Sequence, residues 1–273
     1  MIGATYKEGW GAIDQSAEPL DFVRFMARVN GDDSEETFIR LSETIRQLEV
    51  QAGHQVLEVG CGTGGAARAL ASLAGDTGRV MAVDLSEIML EVARSRGAGQ
   101  SPPVEYRIAD VHALPFADGS FDRCCARNVL EIVADPSRAM SEMVRVLRPG
   151  GKLVLPAADY GSLAIHGSDR DLTRAIITYI CERETNGWVG RELPSLFMRA
   201  GISDLTIQVE ASVCNDFAYF FESWLGPYLS RALAAGAFDA EQITAWLNEQ
   251  VEHARMNIFF AVHTTFIVTG WKP

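Results

Sequence analysis

The sequence predicts an α/β protein built on a doubly wound, largely parallel sheet. Three observations carry this expectation. Between residues 55 and 155, short apolar strands alternate with amphipathic helices, the pattern of parallel pairing. A glycine-rich turn, Gly60-Cys61-Gly62-Thr63-Gly64-Gly65, joins the first of these strands directly to a helix. Two late strands, 205–210 and 264–269, raise the strand count to seven, and the stretch between them is too long for a hairpin loop.

Taken in order, residues 19–52 read as helices. Asp33 or Ser34 can cap a helix whose apolar positions Phe38, Leu41, Ile45 and Leu48 follow helical spacing. Strands are expected at 55–59, 79–83, 104–108, 121–126 and 152–155, with helices at 65–74, 86–96 and 136–147. Pro136 opens the last of these in a favoured first-turn position, and Pro149-Gly150-Gly151 closes it. Helices follow at 168–183 and 191–200. Within 211–263, Phe217, Phe220, Phe221, Trp224, Leu225, Tyr228 and Leu229 recur every three or four residues. Asp239 and Gln242 have the spacing of a capping box ahead of Ile243, Trp246 and Leu247. The expected organisation is an N-terminal helical segment (1–52), a core (53–210), a helical cap (211–262) and a final core strand (263–273).

Composition narrows the function classes. With 273 residues and 48% hydrophobic content the chain buries a sizeable core, which excludes intrinsic disorder. A formal charge of −12 argues against a general nucleic-acid binder or an anionic-membrane binder, because phosphate affinity comes largely from Lys and Arg. The first twenty residues show no secretory pattern, no apolar run is long enough to span a bilayer, and a cytoplasmic location is expected. Five cysteines without C-x-x-C spacing suggest neither a disulfide scaffold nor a zinc ribbon, and no metal centre is predicted. The adjacent Cys124 and Cys125 read as buried, inert thiols.

The glycine turn leaves backbone N–H groups free at a helix start and lets a ligand approach the chain closely. Gly60-x-Gly62-x-x-Gly65 also satisfies the dinucleotide fingerprint, with Asp84 placed where a ribose-binding acid belongs. Glu58, just before the turn, would repel a pyrophosphate and welcome a cation. Glu58, Asp84 and Asp110 end three successive strands. That trio suits a ligand carrying an amine, a ribose and an adenine.

Five landmarks appear in order: Glu58-Val59-Gly60-Cys61-Gly62-Thr63-Gly64, Val83-Asp84-Leu85-Ser86 with Met89-Leu90, Ala109-Asp110-Val111 with Leu114-Pro115-Phe116, Ser120-Phe121-Asp122, and Arg145-Val146-Leu147-Arg148-Pro149-Gly150-Gly151. Together they resemble the class I S-adenosylmethionine-dependent methyltransferases, in particular the small-molecule group that includes ubiquinone/menaquinone and natural-product enzymes. The resemblance implies a Rossmann-like seven-stranded sheet with the last strand antiparallel and S-adenosyl-L-methionine as cofactor. It also implies positions. Gly60, Cys61, Gly62 and Gly64 would cradle the methionine part, with Glu58 near its ammonium. Asp84 would accept the ribose hydroxyls, and Leu85 and Met89 would pack the adenine. Ala109, Asp110 and Val111 would meet the adenine edge, and Asn128 would sit beneath the methionyl arm.

Methyl transfer from a sulfonium needs alignment and water exclusion, and a base only where the acceptor loses a proton. No catalytic residue is therefore named by sequence alone. Candidates near the carboxyl ends of later strands are Glu131, Asp159, Tyr160 and His166; related natural-product enzymes carry histidines where this chain has Glu131 and Ile132. Glu131 reads equally as a helix-surface acid, and His54, His253 and His263 read as structural or exposed. Trp188 and Arg191 form a candidate pocket rim. Ten of the chain's 24 aromatics fall within 215–260, and Phe217, Phe221 and Trp224, with Tyr6 and Trp10, are expected to cap an apolar or aromatic small acceptor or to make a homodimer contact. A cyclase or pericyclase that keeps the cofactor for its charge would carry the same motifs.

Overall fold

The computed structural model describes residues 13–15, 23 and 35–273. Tyr6, Trp10, Asp33 and Ser34 lie outside the described residues. The chain runs α1 (Glu35–Leu48), β1 (Gln55–Val59), α2 (Gly65–Ala74), β2 (Arg79–Asp84), α3 (Glu87–Arg96), β3 (Val104–Ile108), β4 (Phe121–Ala126), α4 (Pro136–Val146) and β5 (Leu147–Ile165). The remainder is α5 (Arg170–Arg183), α6 (Val189–Arg199), β6 (Ser203–Cys214), α7 (Phe217–Phe220), a π-helical turn (Phe221–Leu225), α8 (Gly226–Ala234), α9 (Ala240–Arg255) and β7 (Ala261–Trp271). Short polar side chains start α3, α4, α5, α7 and α9. Ser86 Oγ accepts the Met89 N–H at the head of α3, and Asp135 accepts the Arg138 N–H at the head of α4. Asp239 takes both the Glu241 and Gln242 N–H groups at the head of α9.

The described strands form one seven-stranded sheet in the order β3-β2-β1-β4-β5-β7-β6. β1 to β5 pair in parallel, and β7 is antiparallel to both neighbours. This is the doubly wound sheet that the alternating pattern predicts, with the antiparallel last strand that the resemblance implies. Alternation along the strands sorts the core. Leu57, Val59, Met81, Val83, Cys124 and Leu153 pack with α4 and α6 on one face. Val56, Val80, Ala82, Cys125 and Val154 pack with Leu48 and α2 on the other. Cys124 and Cys125 are both buried, and burial pushes their thiols up, so they are filling, not chemistry.

The last three strands are longer than their local sequence indicates. β5 does not stop at Leu155 but continues to Ile165, because β7 pairs with it from Lys152↔Trp271 to Ile165↔Ala261. Asp159 and Tyr160 therefore lie within the strand and do not follow it. Between Asp159↔Thr264 and Ala164↔Val262 the register shifts, so residues 160–163 oppose His263 alone. Such a bulge bends the strand and re-aims its side chains.

Because β7 is antiparallel, its first residues lie at the same carboxyl edge of the sheet as the ends of β1 to β4. The helices between β6 and β7 emerge at that edge. Phe220, Tyr228, Leu229, Ile243, Trp246 and Phe259 form a separate core there with Leu163, Ile165, Ile176 and Ile180. No helix among the described residues is long and apolar enough to cross a membrane.

Candidate functional site

A cavity of about 420 Å³ opens at the carboxyl ends of β1, β2, β3 and β4, within the range of nucleoside-sized ligand sites. Its floor is the turn between β1 and α2. Gly60 has φ +68° and donates its N–H to the Val83 carbonyl at 2.8 Å, while the Cys61 N–H reaches the same oxygen at 3.0 Å. A Cβ at Gly60 would stand 2.3 Å from Val129 Cγ2, so only glycine fits both the left-handed backbone and the space. Gly62 directs its N–H to Asp84 Oδ2 at 2.8 Å, and Ser86 N–H reaches Asp84 Oδ1 at 3.0 Å. The aspartate thus tethers the turn to the next helix. Burial raises its pKa, and these two N–H bonds partly oppose that rise.

Eleven of the twelve positions that the resemblance implies for the cofactor line this cavity: Glu58, Gly60, Cys61, Gly62, Asp84, Leu85, Met89, Ala109, Asp110, Val111 and Asn128. Gly64 does not. It is the left-handed residue ahead of α2, and a Cβ there would meet Tyr106 Oη at 2.6 Å. Gly64 keeps a close packing distance and makes no wall. Thr63, Gly65, Arg127, Val129 and Ile132 also line the cavity, positions to which the resemblance assigns no cofactor contact. Ile13 of the N-terminal segment lines it too, and the adjacent Asp14 accepts bonds from Ser86 Oγ and the Glu87 N–H.

Asp110 sits on the rim, more than half exposed. Slight burial raises its pKa, but bonds from the His112 N–H and imidazole outweigh that and leave it below the usual carboxylate range. His112 Nε2 accepts the Asp135 N–H, which assigns the ring proton to Nδ1 and to Asp110. His112 is a bracket between the β3 edge and α4. Asn128 holds φ +53°, a left-handed geometry that asparagine tolerates better than most residues.

Glu131 is no helix-surface acid. It lies in a turn after β4, 1% exposed, with Oε1 accepting the Ala158 N–H at 2.7 Å and Oε2 buried without a hydrogen-bond partner. Burial pushes its carboxyl up to about 7. Tyr160, on the β5 bulge, is held well above its ordinary value by burial and by the nearby Glu184 and Glu131 charges. Its ring packs on Trp224 at 4.9 Å and lies 6.3 Å from that of His263, which Trp224 also stacks.

Other expected rim residues are engaged elsewhere. Arg191 Nε donates to the buried Asp159 Oδ2 at 2.6 Å, and its guanidinium lies 4.1 Å from the Trp188 ring centre. The Asp159–Arg191 pair ties β5 to α6, so neither group faces the cavity. Phe217, Phe221 and Trp224 are half-buried against the helical core around Phe220 and Phe259 and do not line the cavity either. His166 lies at the end of β5, away from it.

Residues 57–155 match the family model described as a methyltransferase domain. The chain is 35% identical over 265 residues to an uncharacterized 37.1 kDa protein in transposon TN4556 of Streptomyces fradiae, covering 95% of this chain and 74% of that one. It is 36% identical to the methyltransferase GfsG of Streptomyces halstedii over 62% of this chain and 60% of GfsG. The fold is shared with phosphoethanolamine N-methyltransferase 2 of Haemonchus contortus, solved with S-adenosyl-L-methionine, at TM-score 0.61 and 18% identity, over 99% of this chain and 60% of that one. Those findings and the glycine-floored, acid-ringed cavity lead to one assignment: the chain belongs to the class I S-adenosylmethionine-dependent methyltransferases.

Proposed function

We propose that the protein methylates an oxygen, nitrogen or carbon of a small aromatic or apolar metabolite, with the cofactor held in the cavity at the β1–α2 turn. The residues there fit S-adenosyl-L-methionine: Glu58, Asp84 and Asp110 line one cavity with the turn's backbone, a set suited to a cation with a ribose. When bound, the cofactor supplies an electrophilic methyl group on a sulfonium. The Gly60–Gly62 backbone would hold the methionine part, Asp84 would take the ribose hydroxyls, and Leu85 and Met89 would flank the adenine. Asp84→Ala should weaken cofactor binding about tenfold or more by calorimetry, since it removes the ribose acceptor and frees the Gly62 N–H. Wild-type affinity in that variant would overturn the placement.

The observation that carries the acceptor reading is Glu131. Val129 and Ile132, on either side of it in the chain, line the cavity, while Tyr160, Trp224 and His263 form a half-buried aromatic face at the same sheet edge. Glu131 does not itself line the cavity, but its carboxyl, raised to about 7 by burial, is one residue from the cavity-lining Ile132 and near enough to Tyr160 to raise that phenol, a placement suited to taking a proton from a phenol or hydroxyl as the methyl group transfers. The net charge of −12 favours a small molecule over a nucleic acid. A labelled-methyl screen against phenols, aliphatic alcohols, amines and indoles tests the reading, with phenols or hydroxyls expected to accept label. Tight cofactor binding with no methylated product in any class would instead support a cyclase or pericyclase that retains the cofactor for its charge.

A further inference from the structure

Outside the cavity, the end of β5 and the last helix meet in an arrangement that the methyl-transfer reading does not use. Glu249 and His253 stand four residues apart on α9, hence on one face, and that face lies against His166. Each of the three offers one ligand atom, and these atoms lie within 4.8 Å of one another. His253 Nε2 is 3.8 Å from Glu249 Oε1, too far for a hydrogen bond. It is close to the roughly 3.4 Å that separates two ligand atoms sharing a tetrahedral ion at zinc bond lengths. The two imidazole rings are 4.9 Å apart and tilted by 51°, so they are not stacked.

The surroundings hold this trio in place. Ser168 donates its N–H and Oγ–H to the two oxygens of Glu249, at 2.8 and 3.1 Å, an outer contact of the kind that orients a ligating carboxylate. Gln250, 0% exposed, donates through Nε2 to the His166 carbonyl at 2.9 Å and leaves its Oε1 buried without a hydrogen-bond partner. A metal-bound water or an imidazole N–H is the sort of donor such an oxygen lacks. Trp246 Nε1 bonds Thr173 Oγ1 at 2.8 Å directly behind Gly167, which fixes the connecting segment.

We propose that His166, Glu249 and His253 bind a first-row divalent transition ion and thereby clamp α9 to the end of β5. Two imidazoles and one carboxylate suit zinc or its neighbours, and not calcium or magnesium, which take oxygen ligands. A water completes the coordination. The clamp is independent of methyl transfer, because none of the three residues lines the cofactor cavity.

The test uses the full chain stripped with a chelator, zinc alone as the probe, and His166→Ala, whose exposed side chain leaves the fold intact. Wild type should take up one zinc per chain with a rise in thermal midpoint, and His166→Ala should lose roughly tenfold or more in affinity together with that rise. Glu249→Gln should do the same, and cobalt substituted for zinc should give a visible d–d band in wild type alone. Absence of zinc binding, or equal affinity in wild type and His166→Ala, would overturn the site. Zinc bound to wild type without any rise in midpoint would overturn the clamp.

Discussion

Glu131→Gln is expected to lower kcat toward a hydroxyl or phenol acceptor by about 10²- to 10⁴-fold, the usual contribution of a positioned general base. Glutamine keeps the bond from the Ala158 N–H through its amide oxygen but takes no proton. In wild type, kcat should rise as pH passes about 7, where the buried carboxyl ionises, and the variant should show no such rise. Stability moves the other way. The unfolded chain loses this proton near the ordinary value of 4.5, whereas the folded chain keeps it to about 7. The folded state therefore gains most below pH 4.5, and that gain is lost as pH climbs to 7. Above 7 the ionised, buried Glu131 costs roughly 3 kcal/mol relative to low pH. Urea denaturation should accordingly find Glu131→Gln more stable than wild type at pH 8, with the advantage shrinking by pH 5. A pH-independent wild-type rate, or an unchanged kcat in the variant, would remove Glu131 from the chemistry and leave it a structural acid.

Gly60→Ala is expected to abolish measurable cofactor binding, a loss of at least about 100-fold. Two effects combine. A left-handed alanine costs on the order of 1–2 kcal/mol, and its Cβ would be 2.3 Å from Val129 Cγ2. The turn cannot back away, because the Gly60 and Cys61 N–H groups are both fastened to the Val83 carbonyl. Val129 is buried and β-branched, so its own freedom to turn aside is small. The strain should also lower the thermal midpoint, by an amount consistent with about 2–4 kcal/mol. Adding Val129→Ala separates the causes: it should restore part of the stability by removing the clash, while the backbone strain stays. A double variant no better than Gly60→Ala would show that the contact with Val129 is not the source.

Legibility in the sequence followed the range of the forces involved. The strands from Gln55 to Ala126 begin and end within a residue of expectation, because apolar runs bounded by glycine, Ser86 or Asp110 are local signals. The same holds for the cavity wall, since a glycine turn and an acid at a strand end are written within a few residues of each other. β5 escaped that logic. Ala157, Ala158, Asp159 and Gly161 are poor strand formers on their own, and it is the β7 backbone that extends β5 to Ile165. Arg191 looked available to a ligand but meets Asp159, 32 residues away in sequence. The aromatics of 217–260 were countable, yet where they pack is set by α5 and the end of β5.

By itself, the sequence determined the order of strands and helices, the glycine turn, and the acids placed around it, because these depend on backbone geometry over a few residues. The tertiary structure alone decided that Glu131 is buried with a pKa near neutrality, that Arg191 is already paired, and that His166 meets Glu249 and His253. The charge state and availability of a side chain depend on how much water its neighbours exclude and which partners they bring, and those neighbours come from distant parts of the chain.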